Sequence, residues 1–137
     1  FDEEGVVEKF GVAPDSIPDY LALVGDSSDG IPGIPRWGVK SAAMVLTQYR
    51  HIEYIPADAA TWEIMPRGAV SMAKILEEKR GLAHLYKRLA TLRLDVPLTE
   101  DVVDLKWMGA WKEEYEALCE ELGMVRLKTL PHVWFGA

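Results

Sequence analysis

Residues 25–38 constrain this chain more than any other stretch. Eight of these positions are Gly, Ser or Pro: Gly25, Ser27, Ser28, Gly30, Pro32, Gly33, Pro35 and Gly38. Neither a helix nor a central strand runs through such a segment. On its N-terminal side Ile17, Tyr20, Leu21 and Val24 keep helical spacing, and on its C-terminal side Ala42, Val45, Leu46 and Tyr49 do the same. The unit is therefore helix, long loop, helix. A loop of this length is uncommon as a plain connection and points to function.

The remaining pattern is also helical. Val6, Val7 and Phe10 fit a short first helix closed by Gly11. Asp15 or Ser16 is placed to cap the second helix, with Pro18 in its first turn. The third helix starts near Val39. Residues 51–70 read as short helical pieces broken by Pro56, Pro66 and Gly68. Residues 71–92 read as a long helix interrupted at Gly81. Its expected core side is Ala73, Leu76, Leu82, Leu85, Leu89 and Leu92, with Arg80, Lys87 and Arg88 off that stripe. Residues 99–107 fit an extended or a helical connector equally. Residues 111–122 read as a final helix with Tyr115, Leu118, Cys119 and Leu122 inward. The tail, 124–137, is apolar and is expected to dock on a neighbour or on a further part of a parent chain. The expectation is a mainly α fold in a single helical region, 1–137, with no inner linker.

Composition enters through charge. The 137 residues carry 15 Lys+Arg against 22 Asp+Glu, a formal −7. At face value that argues against a nucleic-acid partner. The charge is segregated, however. Residues 1–29 hold one base and eight acids, residues 30–93 ten bases and five acids, and residues 94–137 four bases and nine acids. A basic middle between acidic ends suits a phosphate-binding face beside a cation site, and equally an uneven solvated surface. Cys119 is the single cysteine. It excludes an internal disulfide and a Cys-based zinc site, fits a reducing compartment and reads as a small buried hydrophobe. No apolar run reaches the ~20 residues of a membrane span, and the start at Phe1-Asp2-Glu3-Glu4 is not a signal peptide. A cytoplasmic protein with no membrane partner is expected. The lack of an initiator Met fits an excerpt of a longer chain.

Two parts of the loop carry chemistry. Asp26 and Asp29 are two carboxylates, three residues apart, at a helix end. Hard cations such as Mg²⁺ or Mn²⁺ take one or two such ligands and keep their waters. Asp, Ser and Gly are also the ordinary residues of turns, and spacing alone does not separate the two readings. Residues 31–42 then deliver a tight turn into a helix N-terminus, with Lys40 and Ser41 on its first turn. Orphan N–H donors, the helix dipole and a Lys together suit a phosphate. A Pro/Gly-rich connector with a solvated Lys fits the same residues. His51, His84 and His132 lack ligand spacing. Trp37 could stack on a base or pack in the core, and packing is the favoured reading. Trp62, Trp107, Trp111 and Trp134 read as core or edge anchors.

Taken together these segments resemble the bacterial 5′–3′ exonuclease family, the flap-endonuclease-like (PIN-like) domain found at the start of DNA polymerase I or as a stand-alone protein. The resemblance rests on Val7-Glu8-Lys9-Phe10-Gly11-Val12, on Asp19-Tyr20-Leu21-Ala22-Leu23-Val24-Gly25-Asp26-Ser27-Ser28-Asp29-Gly30-Ile31-Pro32-Gly33, on Gly38-Val39-Lys40-Ser41-Ala42, and on Leu89-Ala90-Thr91-Leu92 and Asp95-Val96-Pro97-Leu98. It covers the C-terminal part of that domain. It implies that Asp26 and Asp29 match a pair of metal-ligand aspartates for Mg²⁺ or Mn²⁺. It implies a helix-hairpin-helix (helix–three-turn–helix) element at about 15–49 that grips the duplex backbone of flap, nicked or gapped DNA without reading sequence. Gly33, Arg36, Gly38, Lys40 and Ser41 fall in that element, and Lys87 and Arg88 match a basic helical stretch. The family's hairpin often holds K⁺ among its carbonyls.

Two departures follow the resemblance. Where the family has Gly-hydrophobic-Gly, this chain has Arg36-Trp37-Gly38. Arg36 carries a Cβ where Gly reaches positive φ, so the hairpin is open to reshaping with its K⁺ site affected, and Arg36 is placed to add a phosphate contact. Gly30 stands where the family commonly has Asn. The family's N-terminal half, with the other acidic ligands, has no counterpart among these residues. The expected partners are DNA, that N-terminal part and an attached polymerase. The piece alone is expected to be an incompetent nuclease. A non-catalytic DNA-binding hairpin module, or a helical interaction domain docking through residues 133–135, are the competing readings.

Overall fold

The computed structural model describes residues 1–136. Helix α1, Glu3–Phe10, begins where the Asp2 carboxylate accepts the Gly5 N–H at 3.0 Å and ends at Gly11. A single 3₁₀ turn, Pro14–Ser16, leads into α2, Ile17–Val24. Pro18 takes the first turn, as expected, but the Ser16 side chain does not cap: its hydroxyl leans 3.4 Å toward Asp15. Gly25 ends α2.

Helix α3, Val39–Tyr49, buries Ala42, Val45 and Leu46 on the expected stripe. Two 3₁₀ turns, Ile52–Tyr54 and Ala59–Thr61, account for the broken stretch that follows. Helix α4, Ala69–Ala90, packs along α2, and α2 also packs on α3. The core these helices share includes Leu23, Leu46, Ile52, Met72 and Leu76. Burying a side chain of this size contributes about 1.5–3 kcal/mol. Trp37 is 4% exposed, donates through Nε1 to the Met72 carbonyl at 3.3 Å and tilts against Trp62 at 6.2 Å. It is a core residue.

Helix α4 corrects the sequence reading. Its backbone departs from helical values at Lys79 (φ −116°, ψ 15°), two residues before Gly81. The inward face nevertheless keeps helical register as Ala73, Leu76, Arg80, Ala83 and Lys87. Leu82, Leu85, Leu89 and Leu92, expected inside, are exposed. The physical reason is that the inward positions of the second half are filled by bases with partners there. Arg80 donates to the carbonyls of Ile52 and Ile55 at 3.0 and 3.1 Å, and its aliphatic stem covers the core.

The chain divides into two compact units, Phe1–Leu94 and the residues from Asp95 onward. The division falls beside Pro97, where the sequence suggests the end of a helix but no linker. In the second unit a 3₁₀ turn, Val102–Leu105, answers the question left open over 99–107; Asp101 and Asp104 close it with a capping box. Helix α5, Lys112–Glu121, buries Cys119, whereas Leu118 and Leu122, expected inward, are exposed. The tail returns onto the start of α5. Phe135 stacks on Trp111 at 4.1 Å, Trp134 meets Tyr115 edge-on at 6.1 Å and bridges Ala110. Ala137, the last residue of that tail, lies outside the described residues. Trp107 and Trp111 are largely exposed rather than core. Among the described residues there is no strand, only two isolated bridges, and no helix is long and apolar enough to cross a membrane.

Candidate nucleic-acid interface

The loop after α2 is closed by a clasp between two glycines. The Gly25 N–H donates to Leu21 O at 2.8 Å, and Asp26 and Ile31 exchange both backbone hydrogen bonds at 2.8 Å. Gly33 has φ +75°, and a Cβ there would stand 2.7 Å from Val24 C and O and from Gly25 N. Only glycine fits so close a backbone crossing. Ile34 continues the clasp by donating to Leu23 O at 2.8 Å. Ile31 and Ile34 are buried, so the loop is pinned to the core while its tip, residues 27–30, faces solvent.

Asp26 stands at the base of that tip. Its Oδ1 accepts the Ser28 N–H at 2.9 Å, the Ser28 hydroxyl and, at 3.4 Å, the Asp29 N–H. The Ser28 hydroxyl, followed by the Ser28 N–H, holds the Asp26 carboxyl below the usual carboxylate range. Asp26 is thus an ionised carboxylate whose bonds all fall on one oxygen. Asp29 is exposed at the same tip. Among the described residues no group of three or more His, Cys, Asp or Glu comes together as a metal site.

The clasp hands the chain to the hairpin that starts α3. Trp37 N–H donates to Ile34 O at 3.1 Å, and Arg36 between them adopts φ +73°. Arg36 therefore takes up the left-handed conformation despite its Cβ, at a cost of roughly 1–2 kcal/mol. Gly38 is the N-cap of α3, and the Ser41 hydroxyl donates back to Gly38 O at 3.1 Å. Lys40 is exposed. A groove of ≈ 510 Å³ opens here, lined by Gly38, Val39, Lys40, Ser41, Met44, Pro66 and Arg67. The expected residues Gly33, Arg36, Gly38, Lys40 and Ser41 are thus brought into one turn and one helix start. Arg67 joins them from the loop before α4. The sequence offered only its place among the ten bases of residues 30–93.

Lys87 is used elsewhere. Its Nζ lies 2.9 Å from Asp19 Oδ1 and 2.7 Å from Glu53 Oε2. Burial by itself would lower the Lys87 pKa, but the hydrogen bonds to Asp19 and Glu53 outweigh it together and the pKa is raised. On Glu53 burial works the other way, pushing the carboxyl up, and the Lys87 hydrogen bond and charge turn the balance, leaving it below the ordinary value. Arg88 is exposed one position further along α4. Asp19 is fully buried. Its Oδ1 accepts the Ile52 N–H at 2.9 Å and its Oδ2 lies 2.9 Å from His51 Nδ1. Sequence reasoning passed over Asp19 because its partners come from two distant segments, residues 51–52 and Lys87 in α4.

Comparison with known proteins adds the family. Residues 12–113 match the family model described as 5′–3′ exonuclease, C-terminal SAM fold. A DNA polymerase I from Caldicellulosiruptor bescii is 40% identical over 119 residues, covering 85% of this chain and 13% of that protein. A 5′–3′ exonuclease from Buchnera aphidicola is 38% identical over 106 residues, 75% of this chain and 37% of its own length. Flap endonuclease Xni from Vibrio campbellii is 36% identical over 113 residues, 82% and 41% respectively. The chain therefore spans less than half the length of each of these relatives.

Proposed function

The chain belongs to the 5′–3′ exonuclease family, in the region of its C-terminal SAM fold, and from that premise we propose that it is the DNA-gripping part of a metal-dependent flap endonuclease and that it contributes two metal ligands. The substrate class is flap, nicked or gapped duplex DNA, and the reaction is phosphodiester hydrolysis. The observation that carries this reading is the clasp at Gly25 and Gly33. It fixes the Asp26–Asp29 tip and the start of α3 to one another as parts of a single loop.

The residues present fit a divalent ion. Asp26 is ionised, held by Ser28 through one oxygen, and stands at the base of the solvent-facing tip that carries Asp29, both of them hard oxygen donors. When bound, Mg²⁺ or Mn²⁺ would activate a water and stabilise the leaving oxygen. Two carboxylates make an incomplete site, and the rest of the nuclease domain is the implied partner that completes it. In relatives named DNA polymerase I, a polymerase is a further implied partner.

The DNA grip uses other chemistry. The first N–H groups of α3 and the Lys40 ammonium favour a phosphate at the helix start. The hydrogen bond from Ser41 to Gly38 O keeps that first turn in shape. Arg36, held at positive φ, presents a second cation from the hairpin. Such contacts position a duplex without reading its sequence. Lys87 serves the fold rather than the DNA, because its ammonium is engaged by the buried Asp19 and by Glu53; Arg88 stays in the proposed DNA-facing set. The test is flap cleavage and DNA binding measured side by side for Asp26→Ala and Asp29→Ala in the full-length protein. Loss of cleavage with binding retained supports the reading, and unchanged cleavage refutes it.

A further inference from the structure

The structure sorts the bases of residues 30–93 by what they face. Arg50 pairs with Asp15, Arg80 with Glu77, and Lys87 with Asp19 and Glu53. Six bases enter no ion pair among the described residues: Lys74, Lys79 and Arg88, which line neither groove described next, and the trio Arg36, Lys40 and Arg67. These three line two adjoining grooves. The first is the ≈ 510 Å³ groove at Lys40. The second, of ≈ 570 Å³, is lined by Arg36, Arg67, Gly68, Ser71 and Met72. Arg67 belongs to both, and no acid lines either.

Building on the reading of this chain as a DNA grip, we propose that Arg67 is a further DNA-backbone contact, which joins the two grooves into one track from Lys40 past Arg67 to Arg36. A concave surface lined by one sign of charge focuses potential and attracts a polyanion. A guanidinium is the side chain best matched to phosphate, since it gives parallel N–H donors from a rigid fork. The backbone under Arg67 is held on both sides. Ala69 N–H donates to Pro66 O at 3.0 Å, and the Ser71 hydroxyl donates to Gly68 O at 2.8 Å. The side chain thus starts from a fixed base, at the junction of the two grooves. The ligand this chemistry takes is the sugar-phosphate strand of a duplex, read without sequence.

The test is fluorescence anisotropy of a labelled duplex with the 137-residue chain, titrated at several KCl concentrations. Arg67→Ala is expected to weaken binding roughly three- to fivefold near 100 mM salt. It should also reduce the magnitude of the log–log salt slope by about 0.9, the loss of one phosphate contact. Arg67→Lys, which keeps the charge, should retain the wild-type slope. Arg67 is exposed, so these variants fold, and a thermal melt checks that they do. Wild-type affinity and slope in Arg67→Ala, with Lys40→Ala weakened, would overturn the role of Arg67 and leave the grip intact. No DNA binding by the wild-type chain, or none lost in Lys40→Ala, would overturn the grip itself. Displacement of the bound duplex by inorganic phosphate at low millimolar concentration, where KCl of equal ionic strength displaces none, would assign the grooves to a small anion and contradict the track.

Discussion

The Lys87 ammonium lies 2.9 Å from the fully buried carboxylate of Asp19. That pair joins α2 to the second half of α4. Through the Ile52 N–H it also ties in the turn that follows α3. It explains why the inward face of α4 turns basic after Leu76. A buried carboxylate needs a counter-charge and hydrogen-bond donors, and Lys87, His51 and Ile52 supply them.

Removing one member should therefore cost more than a surface ion pair does. Lys87→Met is expected to destabilise the fold by about 2–4 kcal/mol, because it leaves Asp19 buried with less compensation. Its DNA affinity, measured where the variant is still folded, should stay within twofold of wild type. Urea unfolding and an anisotropy titration check the two halves. A weakened salt slope with unchanged stability would return Lys87 to the DNA-facing set.

The glycine clasp makes a sharper demand. Gly33→Ala places a methyl group 2.7 Å from the backbone of Val24 and Gly25 at a φ of +75°. The conformational cost and the overlap together should destabilise by roughly 3–5 kcal/mol. Because the clasp sets the Asp26–Asp29 tip, divalent-ion affinity in the surviving folded fraction should fall as well. Urea midpoints compared with wild type give the first answer, and Mn²⁺ titration followed by water-proton relaxation gives the second.

Arg36 combines strain with charge. Arg36→Gly removes a left-handed cost of roughly 1–2 kcal/mol, while the added freedom of the unfolded chain takes back about 0.5–1 kcal/mol. The net expectation is equal or slightly higher stability together with weaker DNA binding. Chemical denaturation and anisotropy on the same preparation separate the two effects. A variant both less stable and equally tight in binding would contradict the assignment.

Much of the fold is legible in the residues because it is local. Gly11 and Gly25 mark helix ends, Pro18 sits in a first turn, and the α3 stripe of Ala42, Val45 and Leu46 follows from spacing alone. The hairpin between α2 and α3 is announced by its Gly, Pro and Ser content. What the residues do not announce is long-range pairing. Leu82, Leu85 and Leu89 look inward by hydropathy, yet Arg80 and Lys87 take the inner face because carbonyls of 52 and 55 and the Asp19 carboxylate wait there. Asp19 itself gives no local sign of its role. Arg67 meets Lys40 and Arg36 only once α4 has packed, so it is found from the grooves and not from spacing.

The central claim is that Asp26 and Asp29 hold a catalytic metal while the neighbouring hairpin holds DNA. The most direct measurement is single-turnover cleavage of a flap substrate by the full-length protein and its Asp26→Ala and Asp29→Ala variants, with duplex affinity measured in parallel. The account predicts cleavage at least about a hundredfold slower for each variant, with DNA affinity within twofold of wild type. Cleavage at the wild-type rate in either variant would contradict it.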